Sequence, residues 1–284
     1  MTKGGEQEYV ALINELLDGP FEENRTGTRT SRKFGVCINY DLRGGKIPLF
    51  SCKKTDYKII LDELLWFISG STDTKKLNSK IWDKNTSKKV LEEKGLWHYR
   101  EGDLGPSYGF QWRHAGEQYL GCDMDYGGVD QLQEMVNLLK KEPYSRRNLV
   151  SSWSPTQLKE MALPPCHVLF QMLVKDVNKL TCVIIQRSGD LGLGVPFNVA
   201  SYATLTHIMA KLTGLEATSL THVINDAHVY ENHVEGLRNL EVDPESNPIL
   251  EISEDVHSLE DLRPEQFRIT GYKPKKQRRL KMVV

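Results

Sequence analysis

Between residues 57 and 69 the apolar positions Ile59, Ile60, Leu61, Leu64, Leu65, Phe67 and Ile68 recur with helical spacing but cover more than one face. A helix that is apolar nearly all round has to be enclosed by protein, so this segment is predicted as a buried helix. Residues 130–140 behave differently. Leu132, Met135, Val136 and Leu139 lie on one stripe, which predicts an amphipathic helix. Residues 199–212, rich in Ala, Leu, Ile and Met, predict a third, apolar helix. Runs rich in β-branched and apolar residues predict strands at 33–40, 148–153, 167–174, 179–186, 219–224 and 267–271. These elements do not follow a strict βαβ alternation, which favours an α+β fold over a doubly wound sheet. Residues 97–128, rich in Gly, Tyr, His and charge, read as a long ordered loop, and loops of that length tend to be functional.

Composition narrows the classes. The 284 residues are 39% hydrophobic and 26% charged, ordinary for a globular chain. Thirty-seven basic against 38 acidic groups leave a net charge of −1, which argues against a general polyanion binder but not against a local basic patch. No run of about 18 apolar residues occurs, so no membrane-spanning helix and no membrane partner are expected. Residues 1–10 carry Glu6 and Glu8 and no apolar stretch, so no signal peptide is expected. Residues 273–281 are strongly basic; they read as a solvated terminus, with a nucleic-acid or targeting role as the alternative.

The five cysteines, Cys37, Cys52, Cys122, Cys166 and Cys182, are odd in number and contain no C-x-x-C pair. A disulfide framework or a metal site is therefore not expected, and a reducing compartment is: the cytoplasm, with the nucleus as a second location. Cys37 and Cys182 sit in apolar strand-like runs and read as core residues. Cys166 follows Pro164-Pro165, a rigid turn, and reads as core residue or nucleophile with equal weight.

A nucleophilic thiol needs a neighbour that stabilises its thiolate. His167 is adjacent, but neighbours in a strand point to opposite faces, so a Cys-His hydrolase is disfavoured. Arg187, on the next strand-like run, can lie beside Cys166 across a hairpin and serve both a thiolate and a phosphate. Arg25, the tandem Arg146-Arg147, Arg187 and Ser188 make a phosphate cage if they converge, and unrelated surface groups if they do not. No P-loop string is present. Glu63 lies in the buried helix, where a carboxylate is either paired in a salt bridge or handles protons. Asn198 stands where it can cap a helix; its amide can also donate and accept at one ring edge, as the O4/N3 edge of uracil requires. Asp226, His228 and Tyr230 share one strand face, fit to bind a sugar hydroxyl or simply to end a strand.

At this point the strings align with a known family. Arg25-Thr26-Gly27-Thr28, Glu63-Leu64-Leu65-Trp66-Phe67, Ile81-Trp82-Asp83, Gly102-Asp103-Leu104-Gly105-Pro106, Tyr108-Gly109-Phe110-Gln111-Trp112-Arg113, Pro164-Pro165-Cys166-His167, Gln186-Arg187-Ser188-Gly189-Asp190 and the stretch from Gly192 to Asn198 occur in order along essentially the whole chain. The chain thereby resembles the folate-dependent, cysteine-nucleophile thymidylate synthase family, its eukaryotic branch especially. The resemblance implies one domain over residues 1–284 and an α+β fold with a large mixed β-sheet packed against helices, its outer face at a two-fold dimer interface.

It implies a methyltransferase that converts dUMP to dTMP with 5,10-methylenetetrahydrofolate as one-carbon and hydride donor, releasing dihydrofolate. On the matching positions, Cys166 would add to uracil C6, Glu63 would move protons, and Tyr108 would help remove the C5 proton. Arg25, Arg187 and Ser188 would hold the phosphate, with Arg146 and Arg147 supplied to the partner's site. Asn198 would read the base, and His228 and Tyr230 would bind the ribose. Lys53, Trp82, Asn85, Asp190, Leu193, Gly194, Phe197 and Val284 would face the folate, without metal. The chain departs from the family's pattern at Ile185, Ser154, Asn225, Ser51-Cys52 and the basic tail. The nearest rival, a pyrimidine hydroxymethylase on the same scaffold, would add water to the methylene in place of hydride. The rival from another class is a nucleic-acid-binding or regulatory protein that uses the basic tail.

Overall fold

The computed structural model describes residues 5–276 and Leu280. In chain order the elements are α1 (Glu6–Leu17), β1 (Thr30–Asp41), α2 (Tyr57–Ile68), α3 (Lys88–Glu93), α4 (Gly109–His114), α5 (Gln131–Lys141), β2 (Leu149–Ser151), β3 (His167–Lys175), β4 (Lys179–Gln186), β5 (Gly189–Asp190), α6 (Gly194–Thr213), β6 (Glu216–Tyr230), α7 (Val234–Leu237), β7 (Ile249–Ile252) and β8 (Phe267–Thr270). The expected α+β class holds. One mixed sheet runs β1-β6-β4-β3-β2, with β5 added beside β6, and β7-β8 form a separate hairpin pair. Only β4 and β5 run parallel to β6; the other neighbours are antiparallel.

Side-chain alternation along β4 and β6 decides where the core lies. Leu180, Cys182 and Ile184 on β4, and Leu220 and Ile224 on β6, are fully buried against the helical side. Helix α6 supplies most of that side: Val199, Ala203, Leu205, Ile208 and Met209 are all sealed from solvent. Each such aliphatic side chain contributes roughly 1.5–3 kcal/mol by leaving water. Truncating Leu205 to Ala would cost roughly 2–5 kcal/mol, because the packed surroundings relax only in part. Helix α2 packs on α6 and is itself enclosed, as its apolar surplus requires. The Asp56 side chain starts α2 by accepting from the Lys58 N–H at 3.0 Å, and Asp130 does the same for α5 through the Gln133 N–H at 2.9 Å.

Among the described residues no helix covers the opposite face of the sheet. Leu169, Leu173, Val183, Ile185 and Val223 are only half-buried there, and Cys37 is exposed. This corrects the reading of Cys37 as a core residue. Its antiparallel partner is Val223, so both side chains point to the uncovered face; an apolar neighbourhood in sequence does not say which face a helix covers. Cys182 is buried as expected.

Two further expectations are revised. The segment 97–128 is not loop throughout, because α4 forms inside it and buries Phe110, Gln111 and Trp112. Helix α6 starts at Gly194, so Asn198 is its fifth residue and not its cap. In the basic tail, Lys273 pairs with Glu245 at 3.0 Å and Lys275 with Glu241 at 2.8 Å; residues 277–279 and 281–284 lie outside the described residues. Among the described residues no helix is long and apolar enough to cross a membrane.

Candidate active site

The ends of β4 and β6, the start of α6, the middle of α2 and the turn before β3 meet around a cavity of about 390 Å³. Of the predicted residues, Arg25, Glu63, Trp82, Asn85, Tyr108, Cys166, Arg187, Ser188, Asp190, Leu193, Gly194, Phe197, Asn198, His228 and Tyr230 all line it. A larger groove of about 800 Å³ lies elsewhere, between the start of α1, the end of β1 and the β3–β4 hairpin. Most of its charges are spent on one another, Asp41 with Arg43 and Lys46, and Asp176 with Lys179, while Glu6 accepts from Ser51 and the Cys52 N–H.

Cys166 stands immediately before β3, where the β3–β4 register shifts between His167 and Leu169. Such a bulge re-aims the side chains beside it. Across the hairpin, the Arg187 N–H donates to the Cys166 carbonyl at 2.8 Å. The guanidinium is locked by two more bonds, Nε to Pro165 O at 2.8 Å and Nη2 to Pro164 O at 3.0 Å, which leave Nη2 3.9 Å from the Cys166 Sγ. The Trp153 ring lies against it, 5.8 Å from Cζ to centroid. Burial raises the thiol's pKa, while Arg187 and then Arg25 oppose that rise.

His167 also lines the cavity, but its ring is held by partners other than the thiol. Its Nδ1 lies 2.7 Å from the Tyr202 hydroxyl, its ring packs on Tyr108, and burial lowers its pKa to about 3. An imidazole bound to Tyr202 whose pKa falls to about 3 is a poor base for a thiol, so a Cys-His pair stays disfavoured, though on these grounds and not by strand alternation.

Tyr108 reaches the same thiol segment from α4. Its hydroxyl accepts the Cys166 N–H at 2.8 Å, and its ring stacks on Phe67 at 4.8 Å. The backbone there is constrained: Tyr108 has φ 36°, rare for a bulky residue. Gly109 follows because a Cβ at that position would stand 2.6 Å from the Phe67 carbonyl. The start of α4 and the end of α2 can touch only through a glycine.

Glu63 projects from α2 and is 9% exposed. Its Oε1 accepts the Trp82 indole N–H at 2.8 Å, and among the described residues no cation pairs with it. The salt-bridge reading is therefore set aside. Burial, opposed by the Trp82 bond, raises its pKa to about 7.

On the α6 side, Asn198 Oδ1 accepts from Gln186 Nε2 at 3.0 Å. Gln186 Oε1 in turn lies 2.8 Å from His222 Nε2. His222 is fully enclosed and its pKa falls to about 3 by burial, so it is neutral and holds Gln186 as a donor. The sequence reading assigned Gln186 and His222 no role; the signal for Gln186 was its place next to Arg187 at a strand end. Asp190 Oδ1 accepts the Gly192 N–H at 2.8 Å and lies 3.8 Å from His233 Nδ1. A Cβ on Gly192 would come within 2.5 Å of that ring nitrogen, so this close approach also needs a glycine. His228 and Tyr230 face the cavity, but Asp226 does not join them, being bound to Arg32 through Nε at 3.2 Å and through Nη2.

Three predicted residues lie apart. Lys53 is buried outside the cavity wall, and among the described residues its Nζ makes no hydrogen bond. Burial lowers its pKa to about 8 against the pull of Asp190. Arg146 and Arg147 stand exposed on the connection between α5 and β2, away from this chain's cavity. Val284 is outside the described residues. No group of three His, Cys, Asp or Glu among the described residues is placed to hold a metal ion.

The residues that converge here are those of the ordered strings. The chain matches the family described as Thymidylate synthase over residues 7–284. It is 45% identical to the thymidylate synthase of Homo sapiens over 287 residues, 99% of this chain and 91% of that one. It is 46% identical to that of Human herpesvirus 8 over 290 residues, 100% of this chain and 86% of that one. The thymidylate synthase of Agaricus bisporus is 46% identical over 293 residues, 98% of this chain and 99% of that one. A family match over residues 7–284 and likeness of this extent leave one conclusion: the chain belongs to the thymidylate synthase family.

Proposed function

We propose that this chain catalyses the reductive methylation of dUMP to dTMP, with 5,10-methylenetetrahydrofolate giving both the carbon and the hydride. The observation that carries this reading is the convergence of Cys166, held near Arg187, with the buried carboxyl of Glu63 and the amide of Asn198 on one cavity. Uracil C5 is a weak nucleophile. Addition of the Cys166 sulfur at C6 places electron density on C5 and O4, which lets C5 attack the folate methylene. Glu63, titrating near neutrality, delivers and recovers protons around O4 and the folate nitrogen. Tyr108 assists loss of the C5 proton. The folate then leaves, hydride from it converts the exocyclic methylene to methyl, and the sulfur departs from C6. Closure against water matters because water would trap the methylene.

Binding roles follow from position. Arg25, Arg187 and Ser188 hold the phosphate; His228 and Tyr230 bind the ribose; Asn198, oriented by Gln186, reads the base edge. Trp82, Asn85, Asp190, Leu193, Gly194 and Phe197 form the side that accepts the folate ring; for its far end the family resemblance, and not position, offers Lys53 and Val284. The half-buried apolar face of the sheet, bordered by Phe34 at 68% exposure, supports a two-fold homodimer that covers it. In that dimer Arg146 and Arg147 reach the partner's phosphate. All five cysteines are unpaired, which supports the cytoplasm as the compartment.

The test is a spectrophotometric assay of dihydrofolate formation from dUMP and methylenetetrahydrofolate, repeated on Cys166→Ala. Dihydrofolate from the native chain, none from the variant, and retained dUMP binding by the variant are expected. Hydroxymethylated product without dihydrofolate, or turnover by the variant, would overturn the reading.

A further inference from the structure

Tyr9 on α1 has none of these roles, yet its hydroxyl ends beside the wall that accepts the folate ring. It donates to the carbonyl oxygen of Leu191 at 2.6 Å, between residues 182 positions apart in the chain. That carbonyl and the Gly192 N–H belong to one planar peptide unit and point in opposite directions. The Gly192 N–H donates to Asp190 Oδ1 at 2.8 Å, and Asp190 lines the cavity. The hydroxyl of Tyr9 and the carboxylate of Asp190 therefore grip the two ends of a single peptide. At a glycine such a plane turns at little steric cost, so bonds have to hold it. The residue is fixed on its other side as well, where the Leu191 N–H donates to the His228 carbonyl at 2.9 Å. Tyr9 and Leu191 are both fully buried, so solvent does not replace the bond if it is lost. The Tyr9 ring is seated against Phe50, centroids 4.3 Å apart, and burial pushes the phenol's pKa well above its usual value, which keeps the hydroxyl a donor.

We infer that Tyr9 is a positioning residue for the folate: through the Leu191–Gly192 peptide it sets the orientation of the Asp190 carboxylate. This rests on the functional reading above. Tyr9 touches neither substrate. With the peptide fixed, the carboxylate plane is set before the folate arrives, and less freedom is lost when the folate binds. The nucleotide's ligands Arg25, Arg187 and Asn198 are held by other bonds, so the effect falls on one of the two substrates.

Steady-state kinetics of the full chain with methylenetetrahydrofolate varied, and equilibrium titration with dUMP, test this on Tyr9→Phe and Ile13→Val. Tyr9→Phe keeps the ring against Phe50 and removes only the hydroxyl. Ile13→Val trims another fully buried side chain of α1 and leaves the bond in place. Tyr9→Phe is expected to raise KM for the folate about five-fold, with dUMP affinity and maximal turnover each within about two-fold of the native chain. Ile13→Val should keep the native KM. A native folate KM in Tyr9→Phe would overturn the inference. So would an equal rise in Ile13→Val, which would make Tyr9 only a packing residue of α1, or an equal weakening of dUMP, which would mean that the whole cavity is distorted. A native chain that forms no dihydrofolate overturns the functional reading as well, and is seen before any variant is compared.

Discussion

The indole N–H of Trp82 donates to Oε1 of Glu63 at 2.8 Å, where helix α2 meets the turn before α3 and both residues are 9% exposed. A carboxyl in such surroundings resists ionisation, and the one bond from Trp82 offsets only part of that resistance. The outcome is an acid that titrates near pH 7 where a free glutamate titrates near 4.5.

That difference ties stability to pH. The folded pKa is raised, so the neutral carboxyl's contribution is complete below about pH 4.5 and lost as pH climbs through about 7. Over that window the cost to the native chain is about 3 kcal/mol. Glu63→Gln has no such dependence. Urea unfolding should show the variant gaining about 3 kcal/mol on the native chain between pH 4 and pH 8, while its turnover drops by roughly 10²–10⁴-fold. A constant difference between the two proteins across that range would mean that Glu63 ionises normally.

Asn198 yields a prediction about base choice. Its amide is held by the Gln186–His222 relay, so the ring edge it meets is set before substrate enters. Asn198→Asp replaces a donor with an acceptor. Turnover of dUMP should fall by roughly 10²-fold or more, and dCMP, whose N4 donates, should become the better ligand. Gln186→Leu should raise KM for dUMP while leaving deoxycytidine ligands excluded. Steady-state kinetics on both nucleotides separates these outcomes; unchanged discrimination in Asn198→Asp would show that another group reads the base.

Much of this site is legible in sequence because its parts sit in short contiguous strings. Cys166, Arg187 and Asp190 flank strand ends, and a strand end is visible as the point where apolar alternation stops. What alternation hides is reach. Strand β6 runs through Tyr230, well past the predicted 219–224, because Asp226 and His228 break the apolar pattern while finding partners in the fold. The exposed face of Cys37, the enclosure of Lys53 and the bond from Tyr9 to Leu191 depend on elements far apart in the chain. No local spacing encodes them.

The β3–β4 hairpin holds removable strain. Asp176 and Val177 turn the chain with φ of 46° and 75°, and Val177 is 78% exposed at the tip. A β-branched residue in the left-handed region costs roughly 1–2 kcal/mol, with no packing here to offset it. Asn tolerates that conformation and does not add glycine's freedom to the unfolded chain. Val177→Asn should raise stability by about 1 kcal/mol and the unfolding midpoint by about 2 °C, with unchanged turnover. A lower midpoint in calorimetry would show that the valine tip is held by a contact outside this chain.

The last prediction concerns the uncovered sheet face. If two copies meet there, each cavity takes its Cys166 from one chain and Arg146 from the other. Arg146→Ala and Cys166→Ala homodimers should both be nearly inactive. Mixed after unfolding and refolding, they should form heterodimers as about half of all dimers, each with one intact site and one doubly defective site. Activity should recover to roughly a quarter of the native level, since half the dimers each carry half their sites. Over the same association Cys37, exposed on that face, should lose its reactivity towards a thiol reagent. Recovery of activity with Cys37 still labelled would place the shared site at a different interface. No recovery, with Cys37 protected, would leave Arg146 serving its own chain or none.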